Sequence, residues 1–430
     1  MGRWPSPALL AIFVTIALAM NSITPAAAHT GLKVGFYRHS CPQVEAIVYN
    51  SMAQSTKADD TVAPGILRMA FHDCFVRVRD RLDLQHPSQL DRVAELALRS
   101  TWISNSVFPS CLLLLQMLHT VTATSPHRIV PSLWFLQGCD ASVLLEGPNT
   151  ERRARTNTGL HGFDAIDAAK RAVENACPGV VSAADVLQFA ARDAVVLAGG
   201  YGWHVPAGRR DGTVSIMEEA LNLPAPSMTV SQLIDVFGRK GLSPSQMVVL
   251  SGAHTIGKAP CVTFDDRVQT TPVDPTLAPS FATFLKGQCP YAAIQSTSVD
   301  MDSTAHTFDS QYFKDIIAGR GLLTSDQSLL YDSRTSGGVY ANNGAAFYRN
   351  FAKAMVKMSQ IEVLTGLDGE IRRQFDQSSH ESFIENLASY SEAAINTIDN
   401  LDLMLYSNPV LYPHRRFLGP AATASTTQSI

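Results

Sequence analysis

The sequence lacks a hydrophobic run long enough to cross a membrane. The apolar stretch from Ala8 to Met20 is shorter than the roughly 18 residues that a spanning helix needs, and no later segment approaches that length. Arg3 precedes this stretch and the small residues Ala26 to Ala28 follow it, which is the pattern of a cleaved signal peptide. We therefore predict that residues 1–28 are removed and that the mature chain is secreted, with no membrane as its partner.

The sequence also lacks an excess of charge of either sign. Lys and Arg together number 34, Asp and Glu number 38, and the net charge is -4. Such a balance provides no broad cationic surface for nucleic acid, so nucleic acid is excluded as a partner and small molecules are favoured. No Asn-x-Ser/Thr triplet is present, so N-glycosylation is not expected despite the secretory route.

Cysteine, by contrast, is present at seven positions: 41, 74, 111, 139, 177, 261 and 289. In an oxidising compartment most of these should form disulfides, and an odd number leaves one thiol over. Their spacing leaves the connectivity open.

Helical periodicity dominates the rest of the chain, because apolar residues recur at three- and four-residue spacing. The segments with this spacing are Val44 to Ser55, Thr61 to Phe75, Gly162 to Ala176, Ser182 to Ala198, Thr229 to Lys240, Ser243 to Leu250, Ser310 to Ala318 and Asn342 to Ser359. Residue types that favour helix starts stand at Asp60 or Thr61, Ser182, Thr229 and Ser243. Since few convincing alternating strands appear, the predicted fold class is all-α.

Two stretches lack this periodicity. Residues 78–137 contain Cys111 and a run of leucines from Leu112 to Leu115, but no clean amphipathic pattern. Residues after Phe375 are only weakly helical in pattern and end in a Ser/Thr/Ala tail that we expect to be disordered. We therefore predict one domain over 29–375, interrupted by an insertion at 78–137 and followed by a divergent tail at 376–430.

The first chemical motif lies on the helix predicted to end at Phe75. Arg68 and His72 are four residues apart, so they project from one helical face, with Phe71 beside them. A neutral imidazole there could take a proton from a peroxide, and a guanidinium could stabilise the charge that develops as the O–O bond breaks. From spacing alone, a surface pair on an amphipathic helix is the simpler alternative. A hydrolytic metal site at His72, Asp73 and Cys74 is disfavoured, because that spacing fits no common zinc pattern.

The second motif is a single histidine, His254, that follows an apolar helix and is flanked by Gly252 and Gly257. One ring nitrogen could ligate a haem iron if a carboxylate fixed the other, and Asp326 is a candidate for that carboxylate. A buried histidine with an ordinary hydrogen bond is the alternative that spacing alone favours.

Several motifs in order resemble those of one family. They are Gly35-Phe36-Tyr37 with Ser40-Cys41-Pro42, Arg68 to Val76, Gly138 to Leu145, Gly208-Arg209-Arg210-Asp211, Leu223-Pro224-Ala225-Pro226, Ser251 to Gly257 and Thr304 to Asp309. The chain thus resembles the plant secretory (class III) haem peroxidases. The resemblance implies a two-lobed helical fold with one haem b between a distal and a proximal lobe. It also implies an enzyme, a monomer of the apoplast or cell wall, that reduces hydrogen peroxide and oxidises small phenolic donors.

The resemblance implies distal roles for three residues. His72 would move the peroxide proton, Arg68 would stabilise the transition state, and Asn157 would orient His72. On the proximal side, His254 would ligate the iron and Asp326 would be its carboxylate partner.

Two further haem contacts follow from the same resemblance. Phe71 is expected beside the haem, and Pro224 at the haem edge where donors bind.

The resemblance also implies two calcium sites, for which hard oxygen ligands are suitable. The distal site would use Asp73, Val76, Gly138, Asp140 and Ser142, and the proximal site Thr255, Asp302, Thr304 and Asp309. The implied disulfides are Cys41–Cys177, Cys74–Cys139 and Cys261–Cys289, which leave Cys111 unpaired.

The chain departs from the family pattern at residues 78–137, which separate Cys74 from Cys139. Val codons begin with GT and one Gln codon is CAG, and these are the bases expected at the two ends of an intron. The bounds Val78 and Gln137 therefore suggest an in-frame retained intron. The alternative is therefore that the chain is the product of an unspliced gene, which binds haem but is catalytically impaired. A fourth family disulfide is also missing, because Ala183 and Phe375 stand where its cysteines are expected.

Overall fold

The computed structural model describes residues 31–76 and 138–378. The predicted signal peptide, the insertion at 78–137 with Cys111, and the tail from residue 379 onward lie outside these described residues. The domain boundaries therefore stay predictions.

The described residues are mostly helical, as predicted. Their α-helices are α1 (Val44–Ala58), α2 (Val62–Phe75), α3 (Phe163–Ala176), α4 (Ala183–Leu197), α5 (Val230–Arg239), α6 (Pro244–Ser251), α7 (Asp265–Val268), α8 (Pro279–Gln288), α9 (Gln311–Ile317), α10 (Thr324–Gln327), α11 (Ser336–Ala341) and α12 (Ala346–Met358). Strands β1 (Lys258–Pro260) and β2 (Ser298–Asp300) form one antiparallel ribbon, with Ala259 opposite Val299. No helix within 31–76 or 138–378 is both long and apolar enough to span a bilayer.

Helix α2 lies at the centre of the larger hydrophobic core. It is buried along nearly its whole length, as expected of a helix that is apolar on all sides, and Arg68 is its one exposed residue. Its main packing partner is α4, which begins at Ser182, whose hydroxyl accepts the Asp185 N–H at 3.1 Å. At Gly65 a Cβ atom would lie 2.8 Å from His161. Glycine at this position therefore allows the loop that ends at His161 to pack directly on α2.

Helices α5 and α6 both begin with a capping box, as their sequences predict. Thr229 and Ser243 accept the third backbone N–H of each helix, and glutamines reach back to the caps. After α6 the chain continues in a short turn, Gly252–Thr255, which carries His254. A Cβ atom at Gly252 would lie 2.5 Å from the Phe347 ring, so glycine lets this turn pack closely against α12.

Three disulfides confirm the implied pairing. Cys41 joins Cys177 and Cys261 joins Cys289, each with 5.8 Å between the Cα atoms. Cys74 joins Cys139 with a Cα–Cα distance of 4.1 Å. This third bond holds together the end of the first described stretch and the start of the second.

Candidate active site

The distal half of the site is a pair of side chains on one face of α2. The Nε atom of Arg68 donates to Nε2 of His72 over 3.2 Å, as the four-residue spacing predicts. Arg68 also donates to the Thr156 carbonyl at 3.2 Å, which anchors the guanidinium to the loop beyond the insertion. His72 is only 7% exposed, so its ring has little freedom to turn.

Asn157 determines which nitrogen of His72 acts as the base. Its Nδ2 atom donates to the Glu151 carbonyl at 2.7 Å, so its Oδ1 atom faces Nδ1 of His72 at 2.5 Å. An amide oxygen only accepts, so Nδ1 of His72 must carry the proton and Nε2 must carry the lone pair. The lone pair is thus presented beside Arg68.

The electrostatic surroundings keep His72 neutral. Burial and, after it, the charge of Arg68 together lower the pKa of His72 to about 3, although the hydrogen bond to Asn157 acts to raise it. A neutral imidazole next to a fixed positive charge can accept a proton from one oxygen while the guanidinium stabilises negative charge on another.

The proximal half is centred on His254. Its Nδ1 atom lies 2.9 Å from Oδ1 of Asp326, which is 1% exposed and also accepts the Tyr312 hydroxyl at 2.9 Å. Burial acts to lower the pKa of His254, but the Asp326 charge and hydrogen bond outweigh it and raise the pKa. With Nδ1 fixed by Asp326, Nε2 is the nitrogen available to a ligand.

Arg68 and His254 lie close enough that the charge of Arg68 opposes protonation of His254. This electrostatic interaction links the distal and proximal halves of the site. The His254 side chain is 42% exposed although protein surrounds its other edge, so there is room for a ligand above the ring. A histidine with one fixed nitrogen and one accessible nitrogen fits the axial ligand of a haem iron. We call the space expected between Arg68, His72 and His254, where the resemblance implies a haem, the recess.

Phe71 and Pro224, the two further haem contacts that the resemblance implies, are both only partly buried. The ring of Phe71 is partly buried, 4.3 Å from the Phe75 ring and 5.8 Å from the His72 ring. Pro224 is partly buried too, in a loop whose Pro226 carbonyl accepts the Ser325 N–H at 2.9 Å. This bond ties the loop of Pro224 to the residue beside Asp326.

Three buried carboxylates crowd together at the predicted distal calcium site. Asp73, Asp140 and Glu151 are each at most 1% exposed. Burial raises the pKa of Asp73, with the charge of Asp140 adding to the shift, and burial followed by the charges of Asp140 and Asp73 raises that of Glu151. A divalent cation would relieve this repulsion.

The other predicted distal ligands surround these carboxylates. Ser142 is 1% exposed and its N–H donates to Oδ1 of Asp140 at 3.1 Å. The Val76 carbonyl accepts from Asn222 at 3.4 Å, and the Gly138 carbonyl accepts the Asp140 N–H at 2.9 Å. A Cβ atom at Gly138 would lie 2.2 Å from the Ile361 carbonyl oxygen, so the chain at this turn is tightly enclosed.

The predicted proximal calcium ligands also come together. The Thr255 hydroxyl lies 2.7 Å from Asp302 and 3.2 Å from Asp309, and the Thr304 hydroxyl lies 3.2 Å from each of the same two carboxylates. Burial raises the pKa of Asp302 to about 6, with the charges of Asp309 and Asp315 adding to the shift. Two acids and two hydroxyls within hydrogen-bond reach are a suitable oxygen set for calcium.

Both calcium sites would depend on carbonyl and hydroxyl oxygens as well as acids. Although Asp73, Asp140 and Glu151 affect one another electrostatically, no three His, Cys, Asp or Glu side chains within the described residues are placed to hold a metal ion by themselves. A hard cation that accepts such mixed oxygen ligands therefore fits these positions better than zinc does.

Sequence reasoning missed three residues that shape the site. Glu151 adds the third distal carboxylate, Asn222 links the loop of Pro224 to Val76, and Tyr312 donates to Asp326. None has a local sequence signal, because each meets its partner only through the tertiary fold.

Comparison with known proteins finds similar sequences over most of the chain. A family model described as Peroxidase matches residues 48–343. Peroxidase 71 of Arabidopsis thaliana is 39% identical over 350 residues, covering 80% of this chain and 88% of that protein. Peroxidase 5 of Vitis vinifera is 40% identical over 354 residues, covering 79% and 89%. Peroxidase N1 of Nicotiana tabacum is 37% identical over 375 residues, covering 85% and 95%.

Proposed function

Because this chain belongs to the plant class III peroxidase family, it is a haem peroxidase that acts on hydrogen peroxide, and we propose that small phenols are its donors. The family generally binds haem and calcium. We propose one haem b per chain in the recess and two calcium ions at the two acidic sites. We further propose that the enzyme is secreted to the apoplast or cell wall and works as a monomer.

The observation that carries this proposal is that His72 and His254 each have Nδ1 fixed by a hydrogen bond, which leaves Nε2 for chemistry. His72 is neutral, and its unprotonated Nε2 accepts a hydrogen bond from Arg68 that a proton from peroxide would replace. In His254, Asp326 fixes Nδ1, so that Nε2 is the nitrogen for an iron. A haem bound there would supply the iron at which peroxide gives up its oxidising equivalents.

The residues of the chain then have separate tasks. Nε2 of His72 would take a proton from one oxygen of hydrogen peroxide and return it to the other oxygen, which leaves as water. Arg68 stabilises the negative charge on the leaving oxygen while the O–O bond breaks. Asn157 holds His72 in the tautomer that makes this transfer possible, and Asp326 holds His254 in the orientation of a ligand.

Donors are proposed to bind at the opening of the recess, beside the Pro224 loop. A phenol there would lose one electron and one proton in each step, so two donors would be oxidised for each peroxide. The carbonyl groups of this loop are suitable acceptors for a phenolic hydroxyl.

The test is refolding of residues 29–430 with haemin and calcium, followed by oxidation of guaiacol with hydrogen peroxide. His72→Ala should reduce turnover by about a hundredfold or more, since a positioned base typically contributes that much. His204→Ala changes an exposed histidine outside the site and should leave turnover unchanged. Haem binding without turnover in the unaltered chain, or full turnover in His72→Ala, would contradict the proposal.

A further inference from the structure

A continuous series of aromatic rings begins at the proximal histidine. The ring centroids of His254 and Tyr312 are 6.1 Å apart, and those of Tyr312 and Phe313 are 4.9 Å apart. Phe313 is fully buried, and its ring lies 5.2 Å from that of Phe347 on α12. The series therefore passes from the recess through the centre of the proximal half.

The same series ends at the protein surface. The Phe347 and Tyr348 rings are 5.9 Å apart, and Tyr348 stacks on Tyr201 with 4.6 Å between centroids and 22° between planes. Tyr201 is 64% exposed. Glycines at 200 and 202 flank it and place no side chain beside its ring.

The order of residue types in this series suits electron transfer. Tyrosine can be oxidised by one electron, and it occurs at both ends, as Tyr312 next to the recess and as the Tyr348–Tyr201 pair outside. The two phenylalanines between them resist oxidation, but their packed π systems couple the tyrosines electronically. The Tyr312 hydroxyl donates to Asp326, so a proton acceptor is already in place at the inner end.

We propose that Tyr201, stacked on Tyr348, is a second donor site that oxidises phenolic groups carried on polymers too large to enter the recess. This inference rests on the proposed function, because the oxidising equivalents come from hydrogen peroxide reduced at the recess. The substrate class is set by geometry, since an exposed ring on the surface can meet a polymer-bound phenol that a buried site cannot reach.

The electrons and protons balance in each step. Tyr201 loses one electron along the aromatic series toward His254 and releases its hydroxyl proton to solvent. The resulting tyrosyl radical takes one hydrogen atom from the donor phenol, which restores Tyr201 and leaves a phenoxyl radical on the polymer. Two such steps deliver two electrons, and hydrogen peroxide with two protons becomes two water molecules.

The experiment compares the refolded holoenzyme with Tyr201→Phe and with a control, Tyr291→Phe. Tyr291 is 82% exposed and, among the described residues, has no aromatic ring contact. Phenylalanine preserves the stacking on Tyr348, so the fold should be kept. Each protein is given hydrogen peroxide with either guaiacol or tyramine coupled to a high-molecular-mass dextran. In a parallel sample without donor, a nitroso spin trap is added and the labelled tyrosine is located by peptide mass spectrometry.

We expect Tyr201→Phe to lose oxidation of the dextran-bound phenol and the spin-trap label at residue 201, while guaiacol oxidation is retained. Tyr291→Phe should change neither reaction nor the label at Tyr201. Dextran-phenol oxidation by Tyr201→Phe at the rate of the unaltered enzyme, or absence of label from both Tyr201 and Tyr348, would overturn the inference. Failure of the unaltered enzyme to oxidise guaiacol would instead overturn the proposed function on which it rests.

Discussion

The backbone N–H of Arg372 donates to the buried carboxylate of Asp211 at 2.9 Å. The same carboxylate accepts the N–H groups of Ala183 and Ala184 at 3.0 and 2.8 Å. Ala183 is where the missing family disulfide would begin, and Phe375, where it would end, lies three residues after Arg372. One carboxylate thus holds the C-terminal part of the described chain to the start of α4 without a covalent bond.

This arrangement predicts that Asp211 is essential for stability. Asp211→Ala leaves three buried N–H groups without their acceptor and removes the carboxylate that lies 3.9 Å from the Arg372 guanidinium, so it should lower the free energy of unfolding by about 3 to 5 kcal/mol. Asp235→Ala, which breaks an exposed pair with Arg239, should cost less than about 1 kcal/mol. Urea unfolding followed by circular dichroism measures both. Equal, small effects of the two substitutions on the free energy of unfolding would show that the bonds to Asp211 contribute no appreciable stability.

The sequence predicted the long helices well because two independent signals agreed, namely the helical spacing of apolar residues and the residue types that favour helix starts. The segment predicted from Ser243 to Leu250 is the helix Pro244–Ser251, and the capping box at Ser243 defines its start. Asp60 or Thr61 was expected to cap α2, and Thr61 stands at the cap position, but its side chain makes no capping bond. Asp59 instead accepts the Thr61 N–H at 2.8 Å.

Helix α8 and the β-ribbon were not predicted. Helix α8 buries only Ala282 and Leu285, so its apolar stripe is too narrow to stand out in the sequence. Each strand of the ribbon has three residues, and they pair across a long stretch of chain. Such short elements are determined by tertiary contacts rather than by local pattern.

The residues of the site also divide into those that the local sequence indicates and those that it does not. Arg68 and His72 could be paired from spacing alone, because one helical turn joins them. Asn157 and Asp326 lie far from their histidines in the chain, so only resemblance to a family indicated Asn157, and the residues alone made Asp326 no more than a candidate. The structure brings each within hydrogen-bond distance of its histidine.

The bond between Asn157 and His72 leads to a kinetic prediction. Asn157→Ala removes the acceptor for the Nδ1 proton, which lets the imidazole turn and further lowers the pKa of His72. We expect the rate constant for reaction with hydrogen peroxide to fall about 10- to 100-fold, the usual effect of losing a residue that orients a functional histidine. Stopped-flow measurement at varied peroxide concentration determines it.

Asn350→Ala is the matched control, because Asn350 donates to Asn342 outside the site. It should leave the peroxide rate constant unchanged. An unchanged rate constant in Asn157→Ala would mean that packing alone orients His72.

A buried acid away from the site predicts a pH effect on stability. Asp193 is 2% exposed, and burial raises its pKa to about 6, although Arg192 acts to lower it and Glu45 adds to the rise. Since the pKa of the folded state lies above the unfolded value, the contribution of Asp193 to stability is present at low pH and is lost as pH rises through about 6.

The measurement compares the unaltered protein with Asp193→Asn, which does not titrate. Between about pH 4.5 and pH 7.5, the free energy of unfolding of the unaltered protein should fall by about 2 kcal/mol relative to Asp193→Asn. Asp167→Asn, at a more accessible pair with Arg171, should show no such change. A relative stability that rises over this interval would have the wrong sign and would refute the assignment.

The disulfide between Cys74 and Cys139 makes the effect of the intervening residues depend on redox state. The bond spans a sequence separation of 65 and closes that loop in the unfolded chain as well as in the folded one. The entropy of closure then cancels, so deletion of residues 78–137 from the oxidised protein should change the free energy of unfolding by less than about 1 kcal/mol.

Without the bond, folding itself must close the loop. In a Cys74→Ser, Cys139→Ser background, the closure cost grows as about (3/2)RT ln n, so the same deletion should stabilise the protein by about 2 kcal/mol. Cys111→Ser is added to the chains that keep residues 78–137, so that no new disulfide forms. Urea unfolding in the presence of calcium then gives the free energy of unfolding of four proteins, which are the two backgrounds with and without the deletion. An equal change in both backgrounds would mean that residues 78–137 act on the folded state directly rather than through the length of the loop.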